Sequence, residues 1–309
     1  MLKRKLLRSG LFANGLLIIL AAVHATGTQQ SSDSSQQSIN DSAIQWISFN
    51  EDLLQFNGLT ETTFAEAPEI GLRKEAMNFA NTYLAKNSGL LKKIKEKHPS
   101  YFRIMDSVFT KYDLPMELKH LAIIESQLNT RARSRVGAVG PWQFMPTTAR
   151  LFKLKVTARY DERTHFYKST VAAAKYLRDL HKLFDDWLLV IAAYNSGPGP
   201  VYKAIKKSGS RNFWKLQQFL PAETRGHVKK FISTHYYYEG KGGVTTLTKQ
   251  EAEMHRKKMM AFAEKHNQLL KEKQAGLVAE KDSTTDNPAK EDKIVAKADI
   301  IAALKPDEK

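Results

Sequence analysis

From Glu69 to Glu239 apolar residues recur three and four positions apart, and no stretch sustains the every-second-residue alternation of a half-buried strand. That pattern argues against a sheet-built core and predicts an all-α domain. The punctuation agrees with it. Asn87-Ser88-Gly89 and Pro99 interrupt the first helical text, Pro115 fits a first helical turn, and Asn195-Ser196-Gly197-Pro198 is a strong helix stop. Helices are expected from Pro115 through Glu125, shortly after Pro146, over 169–184 and over 186–195. Asp185-Asp186 stands at the start of the last of these as its capping pair.

One position breaks the apolar pattern. In IIESQLN (123–129), Glu125 lies seven, four and three positions after Leu118, Leu121 and Ala122, so all four side chains share one helical face. An acid on such a face has a partner or a chemical task. Burial alone would raise its pKa and keep it protonated near neutral pH.

The chain opens with a basic MLKRKLLRSG, an apolar LFANGLLIILAAV and small residues around Ala25, which read as an export signal over 1–25. The apolar run is shorter than the roughly 20 residues that span a bilayer as a helix. The expected location is therefore the periplasm or cell envelope, soluble after cleavage, with an uncleaved anchor as the other reading. Residues 26–66 begin rich in Ser and Gln and read as a flexible polar leader. Residues 67–240 hold the helical domain. Residues 241–309 form a charged tail with an amphipathic helix over 249–273 and room for an envelope protein partner. Oligomeric state leaves no signature, and a monomer is assumed.

There is no cysteine, which excludes disulfides, thiolate catalysis and Cys-zinc sites. Seven of the nine histidines (120, 165, 181, 227, 235, 255 and 266) are scattered without a His-Glu-x-x-His pair. They read as surface or capping residues, and no metal or cofactor is implied. Of the net charge of +16, four basic residues lie in 1–25 and the stretch from Glu239 onward carries an excess of one. The remaining excess of eleven sits in 26–238 and suits a polyanionic partner such as a cell-wall polymer or membrane surface. An export signal argues against nucleic acid.

Four short elements stand in order on this scaffold: Glu125-Ser126; Gly137-x-x-Gly140-x-x-Gln143; Ala193-Tyr194-Asn195; and Glu223-Thr224. With the surrounding text LPMELKHLAIIESQLNTRARSRVGAVGPWQFMPTTA (114–149), YDERTHFYKSTVAAAKYLRDLHKLFDDWLLVIAAYNSGPGPVYKAI (160–205) and FWKLQQFLPAETRGHVKKF (213–231), they resemble the catalytic domain of lytic murein transglycosylases of the membrane-bound D type. That family has the goose-lysozyme-like SLT fold of glycoside hydrolase family 23. The resemblance covers roughly 170 residues.

The resemblance implies a lyase that cleaves the β-1,4 bond between N-acetylmuramic acid and N-acetylglucosamine in peptidoglycan strands. Glu125 would be the sole acid/base, protonating the leaving oxygen and then taking the proton of the muramic acid C6 hydroxyl to close a 1,6-anhydro ring. By motif position Ser134, Gln143, Met145, Tyr194, Asn195 and Glu223 would bind substrate. The residues themselves agree in one respect. Ordinary glycosidases need a second carboxylate, yet 127–159 contains seven Lys or Arg and no Asp or Glu. Asp161, Glu162 or Glu223 could still fold back toward the cleft. A water-using lysozyme and a non-catalytic wall-binding protein are therefore the competing readings.

The chain departs from the family pattern at Pro141, where an apolar Leu or Ile is usual, at His227, where a tyrosine follows the acid, and at Thr164-His165-Phe166. It also lacks a recognisable LysM repeat.

Overall fold

The computed structural model describes residues 67–282; the expected export signal and leader (1–66) and the end of the tail lie outside the described residues. Ten α-helices follow in order among them: α1 (Lys74–Lys97), α2 (Pro99–Lys111), α3 (His120–Ser126), α4 (Pro146–Leu151), α5 (Phe166–Phe184), α6 (Trp187–Ser196), α7 (Pro198–Ser208), α8 (Phe213–Leu216), α9 (Ala222–Glu239) and α10 (Lys249–Asp282). No strand occurs among the described residues, only isolated antiparallel bridges such as Arg133–Val139 and Val139–Phe144. The all-α expectation holds. One compact unit includes 71–250; a second includes 67–70 and 251–282. No helix of the described residues is long and apolar enough to cross a membrane.

The first unit is organised around α6. A helix that is apolar on every side must be enclosed on every side, and Trp187 through Ala193 are all buried. Helices α5, α7 and α9 pack around it, while α1 lies along α9 and α2 along α5. Asp186 starts the helix. Its Oδ1 accepts from the Leu189 amide at 3.1 Å, and its Oδ2 accepts from the Lys249 amide at 2.7 Å. The expected cap is thus present, although burial pushes the Asp186 carboxyl up to about 6. Gly197, at φ +79°, ends α6 where the sequence predicts a stop, and Pro198 opens a further helix, α7.

Two expectations change. The segment after Pro115 begins as a 3-10 turn, Met116–Lys119, and regular α-helix starts only at His120. The histidines are not mainly surface residues either. His120, His227 and His235 are buried. His120 stacks on Tyr238 at 5.2 Å between ring centres, and its Nε2 lies 3.2 Å from Glu239 Oε1. Packing against aromatic rings accounts for the burial of His120 and His235. His165 does cap α5, accepting from the Lys168 amide.

Asp186→Ala would remove the acceptor of the buried Leu189 amide and of the part-buried Lys249 amide at once. It is expected to cost about 2 kcal/mol, read as a lowered melting temperature, with Asp186→Asn losing less because it keeps an acceptor.

Candidate active site

Glu125 occupies the last turn of α3, behind Leu118, Leu121, Ala122 and Ile123, all buried. The helix stops immediately after it. Gln127 and Leu128 both take positive φ, 57° and 61°, and the Gln127 amide bonds the Ile123 carbonyl at 2.8 Å. Two consecutive left-handed side-chain-bearing residues are costly. They turn the chain sharply enough to leave the acid at the end of a buried helix.

The loop that follows is held from both sides. Ser126 Oγ donates to the Pro141 carbonyl at 2.8 Å, and Tyr194 OH, from the end of α6, donates to the Trp142 carbonyl at 2.9 Å. Trp142 is fully buried, with Nε1 donating to Thr170 Oγ1 at 3.0 Å. Beneath the loop lies Arg163, whose Nη1 donates to the carbonyls of Gly137 and Phe144, both at 2.9 Å. Its Nε and Nη2 grip both oxygens of Asp161. Gly140 has to be glycine. Its φ is +86°, and a Cβ there would sit 1.9 Å from the Arg163 carbonyl oxygen.

The pair Asp161 and Arg163 went unrecognised as a loop support, since a lone arginine in sequence reads as a surface charge. The same contacts remove two of the carboxylates that could have served as a second acid. Asp161 is committed to Arg163, which holds its carboxyl below the usual range. Glu162 accepts from the Lys155 amide and from Lys168 Nζ.

Around Glu125 itself α9 supplies the neighbours. His227 Nε2 lies 3.4 Å from Glu125 Oε1, and both side chains are largely buried. The charge of Glu223 disfavours ionisation of Glu125, and Lys230 opposes it. Burial dominates, and the Glu125 carboxyl is pushed up to about 8. The Glu125 charge in turn reinforces the burial that raises the Tyr194 hydroxyl well above its ordinary value. His227 goes the other way, pushed down to about 3 by burial and then by Lys230, so its ring is neutral.

The remaining expected residues are less tightly gathered. Asn195 Oδ1 accepts from Thr224 Oγ1 at 2.9 Å, joining the end of α6 to the start of α9 beside exposed Glu223. Gln143, at φ +47°, turns Nε2 back to the Gly140 carbonyl at 2.8 Å. Ser134 Oγ accepts from the Ala138 amide at 2.9 Å. Met145 is exposed at the start of α4. The structure therefore gathers Glu125, Tyr194, His227 and the first turns of α9, while Ser134 and Gln143 bond within their own loop. Ser126 and Thr224, the second members of their motif elements, link these elements to the loop and to the end of α6. Among the described residues no group of three or more His, Asp or Glu is arranged to hold a metal ion.

Residues 109–217 match the family model of the transglycosylase SLT domain. The match includes Glu125, the Gly137–Gln143 loop, Tyr194 and Asn195, and ends before Glu223 and His227. Among characterised relatives, the chain is 45% identical over 128 residues to membrane-bound lytic murein transglycosylase D of Escherichia coli (strain K12), covering 40% of this chain and 28% of that protein. It is 27% identical over 157 residues to the soluble lytic murein transglycosylase of Salmonella typhimurium (strain LT2), covering 47% of this chain and 24% of that one. The chain thus spans about a quarter of the length of these relatives. A solved structure, the 70 kDa soluble lytic transglycosylase of Escherichia coli, superposes with a TM-score of 0.44 at 23% identity, over 56% of this chain and 31% of that one.

The raised carboxyl has a thermodynamic signature. Between about pH 4.5 and pH 8 the folded protein holds a proton on Glu125 that the unfolded chain has released, so stability falls as pH rises through this window. Glu125→Gln removes that dependence. Its melting temperature is expected to exceed that of the wild type by more at pH 8.5 than at pH 4.5. Gly140→Ala, by contrast, should be destabilised at every pH, by about 3 kcal/mol or more.

Proposed function

We propose that this protein is a peptidoglycan lytic transglycosylase, with Glu125 as its single acid/base. The observation that carries the reading is a buried carboxyl at the end of α3, 3.4 Å from the imidazole of His227 and raised to about 8 chiefly by burial. Such a group is protonated at neutral pH and positioned to act first as an acid. It gives its proton to the glycosidic oxygen as the bond to C1 of N-acetylmuramic acid breaks. The resulting carboxylate takes the proton of that sugar's C6 hydroxyl, whose oxygen closes on C1 to form the 1,6-anhydro ring. No water enters. The nucleophile is already part of the substrate, so proximity replaces a second protein carboxylate.

Tyr194 and Asn195 flank the bond from the end of α6, while Ser134, Gln143 and Met145 line the loop side and Glu223 the α9 side. The tyrosine ring adds a stacking face. The excess of basic residues in 26–238 suits an anionic wall polymer, and the 1–25 segment suits export to the envelope. Glycan strands are the proposed partner; the tail is the proposed contact for an envelope protein.

One observation favours a second reading. Glu223 is close enough for its charge to act on Glu125, and a carboxylate at the right separation can activate water in an inverting hydrolase.

Mass spectrometry of fragments released from purified peptidoglycan by residues 26–309, beside Glu125→Gln, separates the two. Anhydro-ended muropeptides made by the wild type alone are expected. Reducing ends would make the protein a lysozyme and Glu223 its second carboxylate. Because the acid form must be loaded, turnover should fall as pH rises through about 8.

A further inference from the structure

His227 is one of the buried residues of α9. Its Nε2 is buried and has no aligned hydrogen-bond partner, although the ring is almost fully enclosed. A polar atom left in that condition costs on the order of 1–3 kcal/mol, so its retention calls for a second state in which it is satisfied. The acceptor in reach is Glu125 Oε1, at 3.4 Å. That carboxyl changes charge during the reaction proposed above. While it carries its proton it needs little help from a donor. Once the proton has left, a carboxylate stands in a poorly solvated site, beside the like charge of Glu223 and with only Lys230 in opposition. The groups that bear on Glu125 are these two and His227 on α9, with the Tyr194 hydroxyl from α6. Tyr194 is already bonded to the Trp142 carbonyl, which leaves the imidazole as the nearest uncommitted donor.

We propose that His227 is a positioning residue for Glu125: its Nε2–H turns onto Oε1 when the acid has given up its proton, and steadies the carboxylate that collects the next one. Such a contact is stronger after proton transfer than before it, which is the condition for an interaction to speed a reaction rather than only tighten binding. It also fixes the labour of the two oxygens. Oε1 accepts from the imidazole, and Oε2 is left to carry the proton toward the groove. The ring suits this because it is neutral and cannot bring a permanent positive charge that would strip Glu125 of its proton at rest. The inference rests on the reading of Glu125 as the acid, but it can be tested without turnover.

The test is NMR of the chain labelled with 13C-carboxyl glutamate and 15N-imidazole histidine, with Glu125 assigned against Glu125→Gln. In the wild type His227 is expected as the Nε2–H tautomer above the Glu125 titration. His227→Phe, which keeps a ring and loses the donor, should move the Glu125 titration up by about one unit. It should also lower kcat roughly tenfold or more with little change in KM. His227→Tyr, with an O–H in place of the N–H, should restore most of both. An Nδ1–H tautomer at high pH would overturn the proposal, as would a Phe variant that titrates like the wild type. Should the Phe variant fail to fold, the wild-type tautomer decides. If the wild type releases no fragments while the titration still shifts, the functional reading fails and the His227–Glu125 pairing stands.

Discussion

The structure depends on the enclosure of α6. Seven consecutive buried residues, Trp187 to Ala193, force other helices to surround it, and α5, α7 and α9 do so. Those helices have no freedom to withdraw, because each would expose apolar surface worth about 25 cal/mol per Å². The register of α6 follows from Asp186, which caps its first turn and also receives the Lys249 amide. With the start fixed, Tyr194 and Asn195 are fixed at the other end, where α6 meets the loop and α9. A polar site is thereby attached to the end of the most apolar element of the fold.

The acid is tuned by what surrounds it more than by any strong partner. No cation closer than the opposing charge of Lys230 neutralises Glu125, and burial outweighs that charge. The loop opposite is kept in place by a separate device. Arg163 is itself buried and neutralised by Asp161, and it spends its remaining donors on backbone carbonyls of 137 and 144. Charge is thus paired where shape is needed and left unpaired where proton transfer is needed. Removing one partner of a buried ion pair is costly, so the loop is protected from the softness that the acid requires.

Much of this was legible in the sequence. The three- and four-residue spacing from Leu118 to Glu125 placed the acid on a buried face, and all three apolar members are fully enclosed. The stop at Gly197 was legible because a left-handed glycine followed by proline has one structural meaning. The end of α3 was not, since Gln127 and Leu128 adopt the left-handed region without the glycine that would announce it. Arg163 and the buried histidines were missed for a related reason. Charged and titratable residues are assigned to the surface by composition, and only the tertiary contacts of 137, 144, 238 and 239 show why these are inside. The loop's own motif was visible, whereas the inward bonding of Ser134 and Gln143 depends on backbone angles no spacing reveals.

The pairing of α1 with α9 bears on how such a chain assembles. These two helices lie against each other, yet 124 residues, 98 to 221, separate them. As the chain is made, α1 and the helix bearing the acid emerge long before the helix that carries Glu223, His227 and Lys230. Closing that loop costs entropy that grows only slowly with its length, but it must be met before the contact returns anything. The environment that gives Glu125 its proton is therefore completed late, when the first and last parts of the domain meet, and a nascent or partly folded chain carries an ordinary glutamate.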